Sequence, residues 1–474
     1  MAFNNQHFTD MSDYINLVRE RNREYEASCG RPPLAYVLTF GCQQNEADSE
    51  RIAGMAQSMG YKLTGSAEES DLIVINTCAV RDHAEKKALS IIGQFKHVKN
   101  ARPGVLIGVC GCMTAQQHRI DELKNSYPYV DFTLEPALLH RLPEAVFRAL
   151  SGEKRTFWVG GEEKIIEDVP VRRESSYKAW VSIMYGCNNF CSYCIVPHVR
   201  GRERSRDSSQ IYREVRALVE SGYKDITLLG QNVNSYKSDC DFSALLKKLC
   251  SIDGDFKLHF MTSHPKDVPD SLISTIAENE KIARHFHLPL QSGSDRILAA
   301  MNRRYTTRHY MSILEKLRAL LPDIVVTTDI IVGFPGETDE DFEGTLDIIR
   351  RARFDMIFSF IYSKRKSTPA ERMENQIPPA VKSERYERLT ALQNSISKEK
   401  NRQLLDKTVK VLVEGESKNN PDVYTGRTEG GKIVHFKAES ILPGSYAYIK
   451  INRAEAFALY GELQNKILYN LGEN

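Results

Sequence analysis

The sequence predicts an α/β protein in three parts: a doubly wound parallel-sheet domain, a partial (β/α)6 barrel and a small C-terminal all-β barrel. Three observations predict it. From residue 34 to 150, short apolar runs alternate with helix-length amphipathic stretches, as in parallel strands joined by crossover helices. The alternation stops across residues 151–175 and then resumes for six more strand–helix units. Beyond residue 403 the period shortens to strands broken by Gly, Asn and Pro, the pattern of a small β-barrel.

In chain order, residues 1–33 read as a polar, irregular extension ending at Pro32–Pro33. Strands are expected at 35–40 (AYVLTF), 71–76 (DLIVIN), 105–110 (VLIGVC) and, more weakly, 129–133, with helices near 46–59, 82–98, 114–125 and 136–150. Residues 151–175 (SGEKRT, GGEEK, VRRESS) read as a linker. Over 176–402, strands are expected at 179–184, 225–230, 257–262, 285–290, 324–332 and 356–362. Helices are expected between them and a basic helix over 381–402. Six units are too few for a closed eight-unit barrel but suit an open one, although spacing alone leaves a flat sheet open. Residues 403–466 supply five short strands: TVKVLVEG, DVYTGRT, KIVHFKA, SYAYIKI and AFALYGEL.

Charged residues make up 27% of the chain and the net charge is +2, so bulk electrostatics neither require nor exclude a nucleic-acid partner. The first residues have no basic start, apolar core or cleavage signal, and the apolar runs are too short to span a bilayer. A cytoplasmic protein is expected, with a monomer as the default. In that reducing compartment ten cysteines read as metal ligands, catalytic groups or core thiols rather than disulfides.

Cys187, Cys191 and Cys194 stand in YGCNNFCSYC, in a loop at the carboxyl end of a strand, where α/β barrels place their chemistry. Three thiolates at this spacing suit a four-iron cluster that leaves one iron without a protein ligand. The amino and carboxylate groups of S-adenosylmethionine fit that iron, and an electron from the cluster could then break the sulfonium bond. A closed Cys3His zinc site including His198 is the competing reading. Cys42, Cys78, Cys110 and Cys112 follow or end three successive strands of the first domain. Loops at such ends converge on one crevice, so three of them could hold a second open cluster. Cys110 still belongs to its strand, which makes Cys112 the better ligand. Cys29, Cys240 and Cys250 have no such placement.

These residues resemble the radical S-adenosylmethionine methylthiotransferase family. The resemblance runs from residue 34 to about 465 and rests on FGCQQNEADSE, INTCAVRDHAEKK, GVCGCMTAQ, GCNNFCSYCIVPHVRGRERSR, LLGQNVNSY, HLPLQSGSD and TTDIIVGFPGET. It implies a cluster on Cys42, Cys78 and Cys112, a radical-SAM barrel carrying the second cluster, and a C-terminal TRAM domain that grips tRNA. It implies two 4Fe-4S clusters, two uses of S-adenosylmethionine, and an electron donor such as flavodoxin or ferredoxin. The implied product is a methylthio group on carbon 2 of N6-isopentenyladenosine next to the anticodon. Sister enzymes act on a threonylcarbamoyladenosine or a ribosomal-protein aspartate, but Asn188–Asn189–Phe190 with IVPHVRGRERSR resembles the isopentenyladenosine branch. Gln44 stands where the family usually has Met, and His198 where it has an aromatic.

The S-adenosylmethionine or substrate pocket is expected to be lined by Gln231, Asn232, Gln291 and Ser292 at strand ends, by Asp329 inside an apolar strand, and by Gly333, with Gly336 beside it. For RNA, the run containing Arg200, Arg202, Arg204 and Arg206 carries a local charge of +3, and residues 364–410 one of +6. Such patches suit phosphates. In the last barrel Tyr424, Arg427, His435, Phe436 and Lys437 are candidate stacking and phosphate contacts.

Overall fold

The computed structural model describes residues 10–80, 82–153, 155–160, 165–417 and 420–465. The chain divides into two compact units. The first holds the residues up to Glu174 together with Tyr185–Asn188 and Cys194–Arg204. The second holds Ser175–Met184, Asn189–Tyr193 and everything from Ser205 onward.

In the first unit, β1 (Leu34–Thr39), β2 (Lys62–Leu63), β3 (Leu72–Thr77), β4 (Leu106–Gly111), β5 (Phe132–Leu134) and β6 (Thr156–Trp158) form one sheet in the order β2-β1-β3-β4-β5-β6. Every pairing is parallel. The helices are α1 (Met11–Cys29), α2 (Gln43–Ser58), α3 (Asp82–Ala101), α4 (Gln117–Ser126) and α5 (Leu142–Leu150). Strands β3 and β4 are buried along their whole length, as expected of central strands covered on both faces. Leu72, Val74, Leu106 and Cys110 pack into one core, and Ile73, Ile75, Ile107 and Val109 into another.

Two expectations are corrected here. The extension expected to be irregular contains α1; residues 1–9 of it lie outside the described residues. That helix buries only Ile15, Val18 and Asn22, so its apolar stripe is too narrow to show as periodicity. The expected linker contributes β6, and its later residues are clamped to α2. Arg173 pairs with Glu50 at 2.7 Å, Arg172 N donates to Glu50 O at 2.8 Å, and a Cβ on Gly54 would meet Pro170 O at 2.3 Å. Residues 161–164 of that stretch lie outside the described residues.

In the second unit β7 (Lys178–Ser182) begins the barrel. Two short strands, β8 (Met184–Tyr185) and β9 (Arg204–Ser205), carry the chain between the units, and α6 (Val196–Arg200) lies in the first. There follow α7 (Ser208–Glu220), β10 (Asp225–Leu229), α8 (Phe242–Cys250), β11 (Lys257–Phe260), α9 (Asp270–Glu278), β12 (His285–His287), α10 (Asp295–Ala300), α11 (Thr307–Leu320), β13 (Val325–Val332), α12 (Asp339–Ala352), β14 (Met356–Ile361) and α13 (Pro379–Arg402). The six barrel strands make two parallel arcs, β7-β10-β11 and β12-β13-β14, bridged at Leu258 and Ile282. Each strand neighbours its predecessor in the chain, which answers the flat-sheet alternative in favour of an open barrel. Among the described residues no helix is long and apolar enough to cross a membrane.

The last strands, β15 (Thr408–Ser417), β16 (Asn420–Thr428), β17 (Ile433–Lys437), β18 (Tyr446–Ala454) and β19 (Leu459–Asn465), close into a barrel in the order β15-β16-β17-β19-β18. Val411, Val413, Val434, Phe436, Ile449 and Ile451 fill it. One buried carboxylate fastens it to the larger barrel. Asp355 accepts from Lys432 of the small barrel at 3.0 Å, from Lys400 of α13 at 2.6 Å and from Val326 N of β13 at 3.0 Å. Burial alone would raise the Asp355 pKa, but Lys432 and Lys400 overcome it and hold the group below its ordinary 3.8.

Removing one member of a buried charged set leaves the others uncompensated. Asp355→Ala should therefore cost about 3–5 kcal/mol, read as a lower urea midpoint. A lowered carboxylate pKa stabilises above the ordinary range and loses that contribution as pH falls through the folded value. The gap between wild type and variant should thus narrow as pH falls below about 4.

Candidate metal centres

In the first unit, the paired order β1-β3-β4 and the registers Thr39–Asn76 and Thr77–Gly111 bring three strand carboxyl ends level. Cys42 then precedes the first residue of α2, Cys78 follows β3, and Cys112 opens a single 3-10 turn, Cys112–Ala115. Cys42 is exposed, whereas Cys78 and Cys112 are buried. The expected choice between Cys110 and Cys112 follows the strand pleat. Cys110 packs into the apolar core with Leu72 and Leu106, and Cys112 lies among Ala79, Ile195 and Val199.

The loops are held by a closed amide network. Asn45 Nδ2 donates to Asn76 Oδ1 (3.1 Å) and Thr77 O (2.9 Å), and Asn76 Nδ2 donates back to Asn45 O (2.8 Å) and to Ser49 Oγ (2.9 Å). Two glycines permit this approach. Gly41, at φ +139°, leaves room where a Cβ would meet Cys78 Cβ at 2.9 Å. Gly111, at φ +96°, does so where one would meet Thr77 O at 2.3 Å. Such dihedrals and contacts exclude other residues.

Arg200, at the end of α6, reaches the same place. Its Nε donates to Cys112 Sγ at 3.2 Å and its Nη2 to Asp48 Oδ2 at 2.9 Å, with 6% of the residue exposed. Burial pushes the Cys78 thiol up to about 12, helped by Cys112 and Cys42 and opposed by Val80 N–H and Arg200. Burial likewise raises Cys112, against Arg200. The three sulfurs are thus near enough to feel one another. This donor set fits an iron–sulfur cluster, which takes thiolates spread around a body of several atoms. Among the described residues no three Cys, His, Asp or Glu side chains gather tightly enough for a single metal ion, and His198 is exposed. The closed zinc reading therefore lacks its geometry.

In the second unit, the middle of the CxxxCxxC loop is pinned by the turn after α10. Ser192 N donates to Met301 O (3.0 Å), and Asn302 Nδ2 donates to Phe190 O (2.9 Å), where Phe190 sits at φ +47°. Arg303 Nη1 donates to Cys191 Sγ at 3.4 Å while its Nη2 donates to Pro289 O at 3.1 Å.

Of the expected pocket residues, Asn232 is buried and donates to Asp267 Oδ2 at 2.8 Å, and Gln291 adopts φ +73° beside β13. Ser292 is buried, Gln231 half-buried, and Asp329 lies 3.6 Å from His287 Nε2. Gly333, at φ +70°, donates its N–H to Glu337 at 2.9 Å, and a Cβ there would meet Lys382 at 2.4 Å. In the arginine run the expectation of phosphate contact is corrected at two positions, Arg200 and Arg206. Arg200 is buried as above, and Arg206 is buried, donating to Ser182 O and Glu214 at 2.7 Å each. Arg204 donates to Arg200 O at 3.2 Å, and Arg202 is exposed. In the small barrel Phe436 is core, Arg427 pairs with Glu414 at 2.9 Å, and Lys437 is exposed.

Sequence reasoning missed Asn45, Asp48 and Arg303. The first two had a signal: they continue the buried Ile52–Met55–Met59 face of α2 at helical spacing with polar residues. Arg303 had none, because its partner lies 112 residues away.

Comparison with known proteins agrees with this geometry. Residues 35–135 match the uncharacterized protein family UPF0004, 181–349 the radical SAM superfamily and 402–464 the TRAM domain. A tRNA-2-methylthio-N(6)-dimethylallyladenosine synthase of Acetivibrio thermocellus is 47% identical over 455 residues, 95% of either chain. The chain belongs to the tRNA-2-methylthio-N(6)-dimethylallyladenosine synthase family. A Caldicellulosiruptor saccharolyticus relative of the same name is 45% identical, covering 96% of this chain and 98% of its own. Among solved structures, the radical S-adenosylmethionine methyltransferase TsrM from Kitasatospora setae, with cobalamin and a 4Fe-4S cluster bound, superposes at a TM-score of 0.54. It has 14% identity over 71% of this chain and 77% of that one, a likeness of fold.

Thiol accessibility tests the arrangement. In metal-free protein at pH 8, iodoacetamide should label exposed Cys29 and Cys42 first, and Cys78 and Cys110 at least ~10-fold more slowly, as followed by peptide mass spectrometry. Equal rates at all four would contradict the buried strand ends.

Proposed function

We propose that this chain is a tRNA methylthiotransferase that adds a methylthio group to carbon 2 of N6-isopentenyladenosine next to the anticodon. The observation that carries the reading is the placement of Cys42, Cys78 and Cys112 at three adjacent, level strand ends, with Arg200 Nε donating to Cys112 Sγ. A second thiol trio beyond CxxxCxxC is what a sulfur-inserting radical enzyme needs and a simple radical methyltransferase does not. The name shared by relatives over nearly the whole chain supports the same substrate.

In this reading Cys187, Cys191 and Cys194 hold one 4Fe-4S cluster and Cys42, Cys78 and Cys112 the other, each leaving an iron open. Bound there, the clusters and S-adenosylmethionine supply the one-electron, sulfur and methyl chemistry. The chain's own side chains bind, orient and compensate charge. Arg303 and Arg200 donate to one sulfur of each trio, and the Asn45–Asn76 pair locks two cysteine loops at fixed separation. Gln231, Asn232, Gln291 and Ser292, beyond strand carboxyl ends, and Asp329 within β13 offer donors and acceptors for S-adenosylmethionine or the adenine. The TRAM barrel with Arg202, Arg427 and Lys437 offers cationic contacts for phosphates. The organisation proposed is residues 34–150, 176–402 and 403–466. The protein acts in the cytoplasm as a monomer and is reduced by a flavodoxin or ferredoxin.

Anaerobic reconstitution should load two clusters and give 5′-deoxyadenosine and the methylthiolated nucleoside on tRNA already carrying the isopentenyl group. Cys112→Ala should lose about half the iron and all product, and Cys110→Ala should keep both. Product formation by a chain lacking Cys42, Cys78 and Cys112, or equal turnover on tRNA without the isopentenyl group, would refute the reading.

A further inference from the structure

We infer that Arg200 is the positioning residue of the N-terminal iron–sulfur centre and sets its reduction potential through the sulfur of Cys112. This rests on the reading of Cys112 as a cluster ligand. The guanidinium of Arg200 is shared among three acceptors: Nη2 toward Asp48 Oδ2 at 2.9 Å and Asn45 Oδ1 at 3.5 Å, and Nε toward Cys112 Sγ at 3.2 Å. An ion pair with Asp48 alone would need only a point charge. The planar fork lets one cation serve a carboxylate and a sulfur at once. Asp48 is itself fixed by Gln44 Nε2 at 3.2 Å, so the aim of Nε is set from behind. The short helix that carries Arg200 is seated by Ile195 and Val199 against Ala79 and Cys112, and Cys187 N donates to Gly201 O just after it at 3.1 Å.

A hydrogen bond and a positive charge at a cluster sulfur favour the more negative, reduced form, and such contacts are among the determinants of cluster potential. Losing them therefore makes the centre harder to reduce. The step concerned is the uptake of one electron from an external reductant, with no bond made or broken by Arg200.

The test uses the full-length chain with Cys187, Cys191 and Cys194 all replaced by alanine, so that only the N-terminal centre loads. Reduction is followed by electron paramagnetic resonance in a dithionite titration. Arg200→Met should keep its iron and sulfide and shift the reduction equilibrium about tenfold toward the oxidised form, about 59 mV for one electron. Arg200→Lys, which keeps the charge without the fork, should fall between. Wild-type potentials in loaded Arg200→Met and Arg200→Lys would overturn the inference alone. If Arg200→Met fails to load, Arg200→Lys decides by the same criterion. A Cys112→Ala chain that stays loaded overturns the ligand reading, and the inference with it.

Discussion

A thiolate is the form of cysteine that binds iron, and burial disfavours it. The first unit is organised around that conflict. Cys78 and Cys112 are buried deeply enough for their thiols to be pushed upward, yet each faces a donor: Val80 N–H at Cys78 and the Arg200 guanidinium at Cys112. The second unit repeats the solution with Arg303 against Cys191. Because a buried guanidinium is costly when uncompensated, each arginine has a further acceptor, Asp48 for Arg200 and the Pro289 carbonyl for Arg303.

The surrounding structure holds these pairs to a tolerance the chemistry requires. Adjacent parallel strands in level register are the cheapest way to bring together residues 42, 78 and 112, and Gly41 and Gly111 remove the Cβ atoms that would force the loops apart. The Asn45–Asn76 amides then replace flexible solvent contacts with fixed ones. In the second unit the same economy appears at Asp355, where one carboxylate satisfies a strand amide, a helix lysine and a lysine of the small barrel. That barrel is fastened to the larger one by charged contacts that include this one.

Much of this was legible along the chain. Apolar runs located the strands because a parallel strand buried along its length, as β3 and β4 are, has to be mostly apolar. Compact CxxxCxxC spacing pointed to one candidate centre, and the repeated placement of cysteine after successive strands pointed to the other. Local pattern failed where burial was slight or where partners were distant. Helix α1 buries too few residues to show a period, and β6 is three residues long. The arginine run looked like a solvated cationic patch, but Arg200 and Arg206 point inward, Arg200 to Asp48, a partner that no window of sequence contains, and Arg206 to the Ser182 carbonyl and Glu214.

By itself, then, the sequence determined the α/β class, the order of the parts and the identities of the iron-binding candidates, since these follow from hydrophobic period and short spacings. Tertiary structure alone decided which cation meets which sulfur. Arg200 and Asp48 are separated by 152 residues and Arg303 and Cys191 by 112. Contacts at that range exist only after strand order and register have been chosen, because register sets which side chain faces the crevice and which faces the core.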